Sequence, residues 1–139
     1  MVNFYELNTV ENSRLVYAVI VTRYKEKWVF VRNKERITWE LPAGHREEGE
    51  EIISAAAREL VEETGATVFN ITPVCIYSVD ADDTEIYGQL FYAEILDIGK
   101  LPDLEIAEIK FLDAMSENLT YPEIQPVLFK KAEEFYRQI

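Results

Sequence analysis

Glu59, Glu62 and Glu63 are spaced i, i+3, i+4 in the stretch REEGEEIISAAARELVEETGA (46–66), directly after Arg58. On a helix that spacing brings the three carboxylates together, and like charges so placed repel. Two of them fall just before Gly65, in the last turn of any helix that Gly65 ends. The helix dipole is already partly negative there, and each mismatch costs up to about 1 kcal/mol at an exposed site. Converging carboxylates call for a cation. A donor set of oxygens alone suits hard ions such as Mg²⁺ or Mn²⁺. With one His and one Cys in the chain, no cluster suggests zinc. The bland alternative is a solvated acidic face, since Glu47, Glu48 and Glu51 make this region acidic in general. Periodicity alone leaves both readings open.

The element that must position these groups is a helix from about residue 50 to 64, with Gly65 as its C-terminal cap. At about 100° per residue, Ile53, Ala56, Ala57 and Leu60 form an apolar face that anchors it to a sheet. The carboxylates then occupy the neighbouring face. Strand-like stretches precede it: LVYAVIVTRY (15–24), KWVFVRNK (27–34) and ITWELPAGH (37–45), the last broken at Pro42 and Gly44. Others follow at 66–80, 84–96 and 108–115, with DADD (80–83) as a turn. A C-terminal helix running to Ile139 shows an apolar stripe at Leu128, Ala132, Phe135 and Ile139, with Pro126 in its first turn. Strands, a helix, more strands and a last helix predict an α+β fold with helices packed on a mixed sheet.

The bulk numbers exclude several classes. At 139 residues and 48% hydrophobic content, the chain reads as one domain, 1–139, with a real core. The longest apolar run, LVYAVIV (15–21), is too short for a bilayer and suits a buried strand, so no membrane partner is expected. The N-terminal stretch shows no secretory pattern, and a single cysteine, Cys75, fits a reducing compartment; a cytoplasmic location is the expectation. Cys75 itself reads as a buried strand thiol. A net charge of −12 disfavours long nucleic acid as a partner, although an intervening divalent cation would still allow phosphate chemistry.

The spacing from Gly44 to Ala66 resembles the Nudix box, Gly-x5-Glu-x7-Arg-Glu-U-x-Glu-Glu-x-Gly-U, where U is a bulky aliphatic. Gly44, Glu50, Arg58, Glu59, Leu60, Glu62, Glu63 and Gly65 all match, and Ala66 is the one departure. The resemblance implies the Nudix α/β/α sandwich, in which the box forms a loop-helix-loop catalytic motif. It implies hydrolysis of a nucleoside diphosphate linked to another group, assisted by Mg²⁺ or Mn²⁺. Carried over, Glu59, Glu62 and Glu63 are metal ligands, helped by the Gly44 carbonyl. Arg58 orients a box glutamate, with Glu50 in support. Glu59 or Glu62 is the general base, and Glu105 or Glu108 is a candidate extra ligand or base.

Substrate choice lies outside the box. The proline expected for ADP-ribose enzymes is missing from DADDTE, and Tyr77 and Tyr87 miss the position expected for dinucleotide polyphosphates. What remains resembles the MutT-like nucleoside triphosphate branch, which implies release of a monophosphate and pyrophosphate. Within that resemblance Arg32 is a phosphate-contacting candidate. Trp39, Tyr5 and Phe91 are candidates for stacking on a base. The C-terminal stretch PEIQPVLF gives no support for reading an oxidised guanine. A non-catalytic nucleotide-sensing module is the competing class, although the intact box speaks for catalysis. The protein is expected to be a monomer or homodimer.

Overall fold

The computed structural model describes residues 1–139. Seven strands and two helices follow in the order β1 (Val2–Tyr5), β2 (Leu15–Tyr24), β3 (Lys27–Asn33), β4 (Ala43–His45), α1 (Ile52–Thr64), β5 (Ala66–Ala81), β6 (Thr84–Ile98), β7 (Ile106–Leu112) and α2 (Gln125–Arg137). The strands make one mixed sheet in the order β1-β5-β6-β2-β3-β7, with β4 paired to β2 off that path. β2 and β6 run parallel, and every other strand pair is antiparallel. No helix is long and apolar enough to cross a membrane.

β2 lies inside the sheet with both faces covered, which is why its sequence is a near-continuous apolar run. Its odd and even positions serve different cores. On one face Ala18 and Ile20 pack with Ile52, Ala56 and Leu60 of α1 and with Phe91. On the other, Val19 and Val21 pack with Trp28, Phe30 and Tyr92 and with Leu128, Phe129 and Ala132 of α2. The result is the expected sandwich, a mixed sheet between two helices. The β2–β3 turn is tight: Lys25 (φ 48°) and Glu26 (φ 67°) both take the left-handed conformation, as a two-residue hairpin whose twist matches its strands requires.

α1 ends as its sequence dictates. Gly65 adopts φ 78° and its N–H donates to the Val61 carbonyl at 2.9 Å. A side chain there would also approach the Lys100 carbonyl to 2.7 Å. The helix starts less locally. Glu51 makes no side-chain cap; instead Asn12 accepts the Ile52 N–H at 2.8 Å and donates to the Glu50 carbonyl at 2.9 Å.

Three expectations are corrected. The buried positions of α1 are Ile52, Ala55, Ala56, Leu60 and Thr64, whereas Ile53 is exposed. With Glu59 at zero, those positions span an arc of roughly −40° to 140° on the helical wheel. Glu59 and Glu63 therefore stand within the inward arc rather than beside it. Second, residues 37–42 form no strand: only single bridges tie Glu40 to Val31 and Trp39 to Leu119, because Pro42 interrupts the ladder before β4. Third, Ile139 lies beyond the end of α2 and is exposed.

Candidate active site

α1 packs against β2 and β4, so its C-terminal half faces the Ala43–His45 strand at one end of the sheet. A cleft of about 790 Å³ opens there. Its lining includes Gly44, Arg58, Glu59, Glu62 and Glu63 together with Tyr17, Tyr77 and Leu128.

Arg58 is the hub of the polar side. It forms a bidentate pair with Glu50, Nε to Oε2 at 3.0 Å and Nη2 to Oε1 at 2.9 Å. It also donates to Glu59 Oε1 at 2.8 Å and to the His45 carbonyl at 3.0 Å, and stands 3.7 Å from Glu62 Oε2. The Arg58 hydrogen bonds, with help from the Glu47 N–H, hold the Glu50 carboxyl down at about 2. Glu50 in turn raises the Arg58 pKa further above its ordinary value. Glu50 does not line the cleft, so it works through Arg58.

Glu59 and Glu63 are in the opposite state. Burial raises the Glu59 pKa against the pull of Arg58, and the nearby Glu62 charge adds to the rise. Burial pushes Glu63 up to about 8, with only the Ala43 N–H, at 2.9 Å, opposing it. Glu59, Glu40 and Glu105 add repulsion. This is the electrostatic cost of placing carboxylates on the inward arc of a helix, at its negative end.

The carboxylates fit a hard divalent cation. The donors are all oxygen, two are desolvated with too few hydrogen bonds, and Gly44 leaves the space they need, since a Cβ there would collide with the Glu59 side chain. They do not converge as they stand, and no three ligating side chains are gathered at one point. Arg58 holds Glu59 and Ala43 holds Glu63, so binding would have to draw these oxygens from their present partners.

Other sequence candidates lie elsewhere. Arg32 points along the outer strands, donating to Glu108 at 2.8 and 3.1 Å and to the Arg36 carbonyl at 2.9 Å. Neither Arg32 nor Glu108 lines the cleft, because β3 and β7 pair them directly. Trp39 is half-buried under Lys110, 4.1 Å from the ring, and is also outside the lining. Tyr5 bonds Glu85, and Phe91 is fully buried under α1. Glu105 does line the cleft, and His45 does so with its ring edge-on to Tyr17 at 4.4 Å.

Several site residues escaped sequence reasoning. Arg46 donates to the carbonyls of Ser13, Leu15, Glu47 and Glu50, tying the loop before α1 to the start of β2. Arg36 pairs with Glu40 at 2.7 Å, and both line the cleft. Gln125 enters from α2. The Arg46 and Gln125 contacts join distant segments, which no local pattern announces, whereas Arg36 and Glu40 are a local pair four residues apart.

Comparison with known proteins agrees with this architecture. A sequence profile described as the NUDIX domain matches residues 12–134. An ADP-ribose pyrophosphatase of Bacillus subtilis (strain 168) is 33% identical over 90 residues, 65% of this chain and 48% of that protein. YtkD of the same organism, whose name carries a provisional 8-oxo-dGTP diphosphatase assignment, is 31% identical over 84 residues, 60% of this chain and 52% of that protein. The chain thus spans about half the length of these curated relatives. The crystal structure of the Bacillus subtilis pyrophosphohydrolase BsRppH superposes with a TM-score of 0.79 at 23% identity, covering 96% of this chain and 90% of that one, a likeness of fold. With the profile covering most of its length, the chain belongs to the NUDIX domain family.

Proposed function

We propose that residues 1–139 act as one domain that hydrolyses the pyrophosphate linkage of a nucleoside triphosphate, giving a monophosphate and pyrophosphate, with Mg²⁺ or Mn²⁺ bound by Glu59, Glu62, Glu63 and the Gly44 carbonyl. The observation that carries this reading is the pairing, in one cleft, of under-satisfied carboxylates with an apolar wall that suits a base. When bound, the metal supplies neutralisation of phosphate charge and a more acidic water. Glu59 or Glu62 would take the proton as the water oxygen bonds to phosphorus and the phosphorus–oxygen bond to pyrophosphate breaks. Arg58, fixed by Glu50, would orient Glu59 through its hydrogen bond to Oε1 until the metal draws that oxygen away.

A second reading, hydrolysis of ADP-ribose, is favoured by the name of one curated relative. Both keep the same scissile linkage and the same carboxylates. Incubation of the purified protein with Mg²⁺, and separately with chelator, against nucleoside triphosphates, 8-oxo-dGTP and ADP-ribose separates them by product chromatography. Mg²⁺-dependent pyrophosphate release from a triphosphate is the expected result. AMP and ribose 5-phosphate from ADP-ribose alone would replace the substrate and keep the chemistry. No product from any of them would refute the proposal.

A further inference from the structure

Arg23, near the end of β2, is only 9% exposed. It lies on the same face as Val19 of the cleft lining, four residues further on, or about 13 Å along an extended strand. Its guanidinium carbon stands 4.5 Å from the centre of the Trp28 ring and 4.6 Å from that of Tyr136. Those rings meet at 81° with their centres 5.6 Å apart, so the guanidinium occupies the corner between them. The rings attract its charge but offer its N–H groups no oxygen. Arg23 makes no side-chain hydrogen bond and no ion pair, and none of its nitrogens is sealed from solvent.

The other arginines are answered by the fold or by water. Arg32, Arg36, Arg58 and Arg137 each pair with a carboxylate, Arg46 meets four carbonyls, and Arg14 is exposed over the Tyr87 ring. Arg23 is the one buried basic side chain, and it has no oxygen partner. A buried charge without a counter-charge is unfavourable, so its presence calls for an oxyanion. A guanidinium already held in place offers two parallel N–H bonds and loses little rotamer freedom on binding.

Glu94 decides which oxyanion fits. It stands opposite Arg23 in the parallel β2–β6 register yet does not pair with it. Burial raises its pKa, Arg23 pulls it down and Glu26 adds to the rise. Tyr92, its ring 5.4 Å from that of Tyr136, adds a buried hydroxyl that makes no hydrogen bond within the protein. Acetate and sulfate bring acceptors alone, and Glu94 would repel them. Hydrogen phosphate brings bare oxygens for Arg23 and a P–OH that can donate to Glu94.

We infer that the corner formed by Arg23, Trp28, Tyr136 and Glu94 is a binding site for inorganic hydrogen phosphate, separate from the cleft, in which Arg23 donates two N–H bonds and Glu94 accepts the phosphate proton in a hydrogen bond. The site stands whether or not the cleft hydrolyses nucleotides.

The test uses the whole chain in chelator at neutral pH and constant ionic strength. Trp28 and Trp39 are its two tryptophans, so Trp39→Phe leaves Trp28 as a reporter beside Arg23. Phosphate is expected to change the Trp28 emission in a saturable titration, binding about tenfold or more tightly than sulfate or acetate. Arg23→Gln should abolish the response. Arg23→Lys keeps the charge but not the planar fork and should weaken phosphate binding about tenfold. Glu94→Gln should strengthen acetate binding and narrow the preference for phosphate. No saturable response to phosphate, equal binding of the three anions, or a response that survives in Arg23→Gln overturns the assignment. The comparison of anions on Trp39→Phe protein decides the matter even if the Arg23 variants fail to fold.

Discussion

Two glutamate sites in this molecule are built on opposite terms. Glu85, on β6, accepts three hydroxyl hydrogen bonds, from Tyr5, Ser78 and Tyr87, each at 2.6 Å. Those bonds hold its carboxyl at about 2. Glu63, on the inward arc of α1, accepts one backbone N–H and sits at about 8. The first carboxylate has every partner it needs from the fold and ties β1 to the β5–β6 hairpin. The second is held in place by the packing of Ile52, Ala56 and Leu60 and left short of partners. A carboxylate that the fold positions but does not satisfy is a site in waiting. The difference lies in the neighbours, three hydroxyls in one place and three further carboxylates in the other.

Ways to break this comparison start with the largest effect. Glu62→Gln removes one charge from the acidic end of α1 and should lower turnover by about a thousandfold, on the scale of removing a group that stabilises the transition state. Its melting temperature in chelator should hold or rise, because repulsion is relieved. Retained turnover would show that the site has been misplaced. Glu85→Gln should leave turnover nearly intact and lower the melting temperature, the converse pattern.

Metal removal comes next. Saturating Mn²⁺ should raise the melting temperature of the wild type by several degrees over chelator, since a ligand that binds only the folded state stabilises it. The rise should persist in Glu85→Gln and shrink clearly in Glu63→Gln. An equal rise in all three proteins would detach metal binding from α1.

The smallest effect concerns pH, where the two sites carry opposite signs. The folded-state pKa of Glu63 is raised, so in metal-free protein its contribution is present below its ordinary 4.5 and is lost as pH rises through about 8. For Glu85 the folded-state pKa is depressed, so its contribution is present above 4.5 and is lost as pH falls toward about 2. Urea unfolding across pH in chelator should show Glu63→Gln flattening the alkaline limb and Glu85→Gln flattening the acid limb. The same limb changing in both variants would contradict the assignment.

What the sequence made legible was local or periodic. Gly65 as a cap, α1 itself and the buried run of β2 each follow from a few neighbouring residues. The acidic end of α1 was readable because three glutamates in two turns violate the ordinary preference of a helix. The inward face differs from the expected one at Ile52 and Ala55, buried where Ile53 and Ala57 are expected, because a short amphipathic helix rich in alanine has no sharp apolar boundary. Arg32 and Glu108 are 76 residues apart, and only the β3–β7 register shows that they satisfy each other. Asn12 capping α1 and Gln125 meeting Leu41 are likewise tertiary facts. In both, a polar side chain completes a backbone far away in sequence.

The most direct measurement is Mn²⁺ binding by calorimetry to the wild type, Glu63→Gln and Glu85→Gln at one pH. The account predicts binding to the wild type and to Glu85→Gln with similar affinity, and a loss of tenfold or more in Glu63→Gln. Unchanged affinity in Glu63→Gln would contradict the claim that the carboxylates the fold leaves unsatisfied are the ones that hold the metal.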